Sequence, residues 1–195
     1  MVTKLRKLQF LVMPLTVMML AAFSNVRSQA PVHIEATAMG TSTQLGRVVN
    51  IDLRIREFST AEDQKILLGV FEQKGSEGLA NALEKMKAKG RIAITGTVGY
   101  DLNYIRQFKM RDGSRRIRFI TDRAIRFNEA WYDTRTMDYQ LSMGEVIIPA
   151  SKVKSSGTLM PVALLRVTKR GEVEIENYQN PWKLTNIRIR SHGVR

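Results

Sequence analysis

Residues 103–121 read NYIRQFKMRDGSRRIRFIT, which is a strand, a turn and a returning strand. Arg111-Asp112-Gly113-Ser114 is the turn, because Asp-Gly supplies the backbone angles a tight hairpin needs. In the returning strand, Ile117 and Phe119 fall on one face and Arg116 and Arg118 on the other. Side chains of a strand alternate between faces, so this segment is half-buried and its neighbour across the turn is antiparallel.

The same pattern extends in both directions. Residues 47–57 (RVVNIDLRIRE) place Val49, Ile51, Leu53 and Ile55 on one face and Asn50, Asp52, Arg54 and Arg56 on the other. Residues 32–38, 91–98, 158–168, 172–178 and 183–190 read as further strands, and 137–148 as a long one kinked or bulged at Gly144. Pro161 suggests an edge or a bulge within 158–168, because proline has no N–H for the ladder. About eight strands joined by short turns predict a β-rich α+β fold. The sheet is a mostly antiparallel barrel or sandwich, since an open sheet would expose long edges.

One helical region interrupts the strands. Ser59-x-x-Glu62 and Thr60-x-x-Asp63 both fit a capping box at its start. Ile66, Leu67, Val70 and Phe71 follow at helical spacing, and Leu79, Leu83 and Met86 repeat the pattern after Gly75-Ser76. Gly75 reads as the end of one helix and Ser76 as the start of another, closed by Gly90, so the expectation is an inserted two-helix hairpin over about 60–89.

The first thirty residues have a different composition. Lys4, Arg6 and Lys7 form a basic start, Phe10–Phe23 is an uncharged apolar run, and Ser28-Gln29-Ala30 ends a short polar stretch. This is the pattern of a secretory signal peptide over 1–30, with Ala22-x-Ser24 as an alternative exit to Ser28-x-Ala30. The run is shorter than the roughly 20 apolar residues of a spanning helix and contains Pro14, which speaks against an anchor. The expected location is outside the cytoplasm, in the periplasm or the medium. Residues 31–195 then form a single domain, large enough for its own core. Cysteine is absent, so disulfides, thiol catalysis, Cys-ligated zinc and iron–sulfur chemistry are excluded.

The chain carries 31 basic and 18 acidic residues. The leader holds four basic residues and no acidic ones, so 31–195 carries 27 against 18, a net charge of +9. This balance suits an anionic envelope ligand, such as a glycan or a lipid head group, and also suits simple solubility. Export makes nucleic acid a poor fit.

Catalytic motifs are missing. There is no G-x-S-x-G elbow, and His33 and His192 lie near the two ends of residues 31–195. Two distant histidines do not compose a zinc ligand set, so no metal, cofactor or catalytic residue is assigned. Carboxylates at Asp101, Asp122, Glu129, Asp133 and Glu145 leave a carboxylate-based glycan hydrolase as an alternative that needs two of them to converge. A further class is a structural or assembly protein docking on a protein partner through the outer side of Leu79, Leu83 and Met86. The leading expectation is a non-catalytic binding module of the cell envelope with a basic, aromatic-bearing surface. Its candidate ligand-binding residues are Trp131, Tyr132, Tyr100, Arg116, Arg118, Arg123 and Arg126. Arg188 and Arg190 extend the arginines into a stripe if the strands that carry them are neighbours.

Short motifs spread along the chain add a resemblance. They are Gly99-Tyr100-Asp101-Leu102, Gly113-Ser114-Arg115-Arg116-Ile117, Thr121-Asp122-Arg123, Phe127-x-Glu129-Ala130, Asp138-Tyr139 and Glu176-Asn177-Tyr178. With the Ser59-Thr60-Ala61-Glu62 helix start, the region from Val49 to Ile189 resembles a family of small exported bacterial proteins of unassigned function. The resemblance implies an exported single domain and no activity, cofactor or catalytic residue.

Overall fold

The computed structural model describes residues 31–41, 45–123, 125, 141–167, 173–178 and 181–191. Residues 1–30, read above as a leader, lie outside them. Among the described residues, nine strands and one helix follow in the order β1 (Val32–Met39), β2 (Val48–Ile55), α1 (Ala61–Lys85), β3 (Gly90–Ile94), β4 (Tyr100–Lys109), β5 (Arg115–Thr121), β6 (Leu141–Ile148), β7 (Ser156–Val167), β8 (Val173–Tyr178) and β9 (Trp182–Ser191).

The strands close on themselves. Each strand from β1 to β7 pairs with the next, β7 pairs with β9, and β9 returns to β1, all antiparallel. The result is an eight-stranded barrel, which decides the choice between barrel and sandwich. Closure removes the edges that an open sheet would expose. β8 stands outside the ring. It pairs with the second half of β7, from Ala163↔Tyr178 to Val167↔Val173, while the first half of β7 completes the barrel. The β6–β7 register slips between Leu141↔Ala163 and Met143↔Met160, next to Pro161, as expected of a proline within a ladder.

Alternation sends one set of side chains inward from every barrel strand. Ile34, Ile51, Leu53, Ile92, Leu102, Ile105, Ile117, Phe119, Val146, Leu159, Trp182 and Leu184 meet there, each nearly excluded from solvent. An eight-stranded barrel is just wide enough for such side chains to fill. Gly144 belongs to this arrangement. It sits in regular register opposite Phe119, without the bulge expected from its sequence. A β-carbon there would lie 2.0 Å from Phe119 Cζ, so glycine is required by the ring that occupies its space.

The expected two-helix hairpin does not form. Residues 61–85 are one helical element bent at Gly75, whose φ of 62° and ψ of −158° are non-helical. Helical structure resumes at once, so no loop reverses the chain. Leu67, Phe71, Gly75, Leu79 and Leu83 fall at an uninterrupted spacing of four, which keeps both segments facing the same surface. That surface is the outside of the barrel. Leu67, Phe71, Leu79, Ala80 and Leu83 pack on Tyr104, Ile120, Leu141, Met143 and Met160 from β4 to β7. Each large apolar side chain so buried contributes about 1.5–3 kcal/mol. Of the two capping boxes the sequence allows, Thr60 and Asp63 form the one observed: the Asp63 amide donates to Thr60 Oγ1 (3.1 Å) and the Thr60 amide to Asp63 Oδ2 (2.8 Å). Ser59 instead docks the helix start on β4. Its amide donates to the Ile105 carbonyl (2.6 Å) and its hydroxyl accepts from the Ile105 amide (3.0 Å).

Candidate ligand-binding cleft

The hairpin of β4 and β5 builds the most distinctive surface. Gly113 takes a positive φ of 79°, and Asp112 Oδ1 accepts from both the Ser114 amide (2.9 Å) and hydroxyl (2.6 Å). Those two donors hold the Asp112 carboxyl below its usual range. This turn fixes the register, which places Arg106 directly opposite Arg118 and Phe108 opposite Arg116. Ile105, Ile117 and Phe119 point into the barrel. Tyr104, Arg106 and Phe108, with Arg116, Arg118 and Ile120, therefore share the outer face.

α1 crosses this face and leaves a cleft of about 370 Å³. Gln64, Leu67 and Leu68 line it from before the bend at Gly75 and Leu79 from after it. Tyr104, Phe108, Met110, Arg116, Arg118, Ile120 and Met143 line it from the barrel. Its walls are mostly apolar, and its charge is concentrated at one side.

Two guanidiniums share one carboxylate on that side, and a third lies beside them over the Phe108 ring. Glu145 Oε2 accepts from Arg118 Nε at 2.6 Å, and its Oε1 lies 3.5 Å from Arg116 Nε. Among the described residues Arg106 pairs with no carboxylate: its Nη1 donates to Gln64 Oε1 and to the Thr60 carbonyl (3.4 Å). The Arg106 and Arg118 guanidiniums both lie over the Phe108 ring, at 5.6 and 5.8 Å from its centroid. Cation–π attraction stabilises each of them there. Tyr104 is held above its ordinary ionisation range by burial, partly offset by Arg106, so its phenol stays neutral at physiological pH.

The residues expected from sequence divide into three groups. Arg116 and Arg118 come together in the cleft. Tyr100 packs against the barrel-interior cluster instead. Arg123 is engaged by its neighbour Asp122, with Nε and Nη2 donating at 3.0 and 2.8 Å, and this pairing raises its already high pKa. Trp131, Tyr132 and Arg126 lie outside the described residues. No arginine stripe runs from β5 to β9, because β6 and β7 stand between those strands. Arg106, Tyr104 and Phe108 are not among the site residues expected from sequence. Their signal is nonetheless present: counting back from the Asp-Gly turn at equal register puts Arg106 opposite Arg118.

A carboxylate hydrolase needs two acidic groups in one place. Asp101 pairs with Arg91 (3.3 Å), Asp122 with Arg123, and Glu145 with two arginines, so each of these carboxylates has an arginine partner; Asp101 and Asp122 lie at the same end of the β4–β5 ladder and both act on Arg123. Glu129 and Asp133 lie outside the described residues. Docking through the helical region needs an outward apolar face. Leu79 and Leu83 are buried against the barrel rather than facing outward, with Met86 half-buried beside them. His33, Glu35 and Asp52 on β1 and β2 do bring one ligand atom each within 4.8 Å of the others. His33 Nε2 lies 3.2 Å from Asp52 Oδ1 and Arg190 lies 3.2 Å from Glu35, so both carboxylates already have positively charged or hydrogen-bonding partners. Arg54 and Arg190 oppose His33 and Arg188 opposes Glu35 in the ladder, which surrounds the group with positive charge unsuited to a divalent cation.

Among the described residues, no helix is long and apolar enough to cross a membrane. Comparison with family models, curated proteins and solved structures found no match to this chain.

Proposed function

We propose that the protein is an exported, non-catalytic binding module of the cell envelope that takes an anionic ligand in the cleft between α1 and the outer barrel face. The observation that carries this reading is the pairing of Arg106 with Arg118 beside Arg116, with Glu145 as the carboxylate that Arg116 and Arg118 share. Like charges directly opposite each other across a ladder destabilise a sheet. An arrangement that costs stability and is only partly neutralised supports a role in holding an external negative charge. The apolar walls beside the arginines lower the local dielectric and strengthen such an interaction. Export is supported by the leader sequence, and the envelope by the chemistry of anionic ligands there.

The test is thermal unfolding with and without inorganic phosphate, at matched ionic strength set with sodium chloride. A ligand that binds only the folded state raises the melting temperature as its concentration exceeds Kd. The expected result is a rise in the wild type that shrinks in Arg106→Gln and Arg118→Gln and persists in Arg188→Gln on the distant β9. An equal rise in all four proteins would mark a general salt effect on burial and refute the cleft as the site.

A further inference from the structure

A small inorganic anion would answer the arginines but leave the rest of the cleft in water. Leu67, Leu79, Ile120 and Met143 form a floor already buried in the α1–barrel contact, and Leu68, Phe108 and Met110 add half-exposed apolar lining beside Arg116 and Arg118. Leu68 is only half-buried, so part of that lining stays wet as the protein stands. The cost of wetting falls if the ligand itself brings apolar surface to cover it.

Resting on the reading of the cleft as an anion site, we infer that its ligand is a single-chain amphiphile. The head is a carboxylate or a phosphate held by Arg116 and Arg118 with Arg106 beside them, and the tail is an unbranched alkyl chain lying along the half-exposed Leu68 and Met110. The cleft of about 370 Å³ is open on one side, so a chain can enter it lengthwise and cover the half-exposed lining. The head geometry is also suited, because planar guanidiniums on adjacent strands present paired N–H groups to the oxygens of either anion. Phe108 holds two of those guanidiniums over its ring and leaves their edges to the ligand.

The experiment is calorimetric titration of the protein with n-alkyl carboxylates from four to sixteen carbons, each below its micelle concentration. Decyl phosphate, decanol and inorganic phosphate complete the set. Affinity is expected to tighten roughly threefold for each added methylene. The gain is expected to level off within the series, once added methylenes reach past the cleft. Decanol, without the head, and phosphate, without the tail, are each expected to bind at least tenfold more weakly than decyl phosphate. Comparison of decanoate with decyl phosphate decides between the two heads. Leu68→Trp fills the cleft from the half-buried side of α1 and is expected to abolish the dependence on chain length while phosphate still binds. Affinity that does not vary with chain length, with phosphate binding still lost in Arg118→Gln, would overturn the amphiphile and leave the anion site standing. Chain-length dependence that survives both Leu68→Trp and Arg118→Gln would place the alkyl chain elsewhere and overturn the inference. Absence of binding by every anion, phosphate included, would overturn both.

Discussion

Gly144 on β6 lies beneath the ring of Phe119 on β5, so close that a β-carbon would fall 2.0 Å from Cζ and 2.5 Å from Cε2. Both residues belong to the barrel interior, where Phe119 is fully buried. Forcing a methyl group into a packed core costs about 1–3 kcal/mol. Gly144→Ala is therefore expected to lower the melting temperature by roughly 2–12 °C for a chain of this size. The cause is the ring and not the backbone, so Phe119→Leu in the same protein should restore part of the loss. A double-mutant cycle of thermal unfolding would show this as a coupling of opposite sign to the single effects. Additive effects would mean that Gly144 is needed for another reason.

Ser59 and Thr60 look alike as helix starts in the sequence, yet they do different work. Thr60 is the cap, and its replacement by alanine should cost about 1 kcal/mol. Ser59 is buried and exchanges two hydrogen bonds with Ile105 of β4. Ser59→Ala leaves the Ile105 amide without that acceptor, at a cost of about 1–3 kcal/mol. Urea unfolding should thus rank Ser59→Ala as the more damaging change. The reverse order would mean that α1 depends more on its cap than on its attachment to the barrel.

How far the fold can be read from sequence depends on the range of the interaction. β2 and β5 are legible because alternation is local: Ile51, Leu53 and Ile55, or Ile117 and Phe119, declare their face by themselves. Closure is not legible, because it rests on pairs such as Val32↔Ser191 and Met39↔Lys183 between the two ends of the described domain. No periodicity encodes such a pair. The bend at Gly75 resembles a chain reversal because glycine and serine commonly end and begin helices. The four-residue spacing from Leu67 to Leu83 is the better guide, since a reversal would release it. In the site, Arg116 and Arg118 are visible as outward residues of a strand. Glu145 is recognisable only as a carboxylate, since its register against Arg118 crosses the long segment between β5 and β6.

The Tyr104 phenol ties the cleft to alkaline stability. Burial raises its pKa above the ordinary value of 10.0, more than the neighbouring Arg106 lowers it. The folded state therefore keeps its proton at pH values where the unfolded chain has lost it. In this case the stability is fully present below pH 10, and it is lost as the pH rises from there through the folded-state pKa. Tyr104→Phe removes this group from the balance. The difference in urea midpoint between wild type and variant should be constant from pH 7 to 9 and should change, in favour of the variant, above pH 10. A difference that stays flat to pH 11.5 would show that Tyr104 ionises as freely in the folded protein as in the unfolded one.

Glu145 sets stability against binding. It is the one carboxylate held by Arg116 and Arg118, with about a quarter of its side chain exposed. A pair so placed is partly screened by solvent, so Glu145→Gln should cost the fold only about 1 kcal/mol. The same change leaves Arg116 and Arg118 without their internal counter-charge and frees the N–H groups that Glu145 occupies. Anion affinity should rise by about threefold to tenfold at low salt, following the Coulomb energy of one removed negative charge near the site. The gain should shrink at high ionic strength, where exposed charges are screened beyond a few ångströms. Calorimetric titration with decyl phosphate at 20 and 500 mM sodium chloride would measure both effects. Weaker binding in Glu145→Gln would mean that the carboxylate is needed to position the two guanidiniums, and that order among the arginines outweighs their net charge.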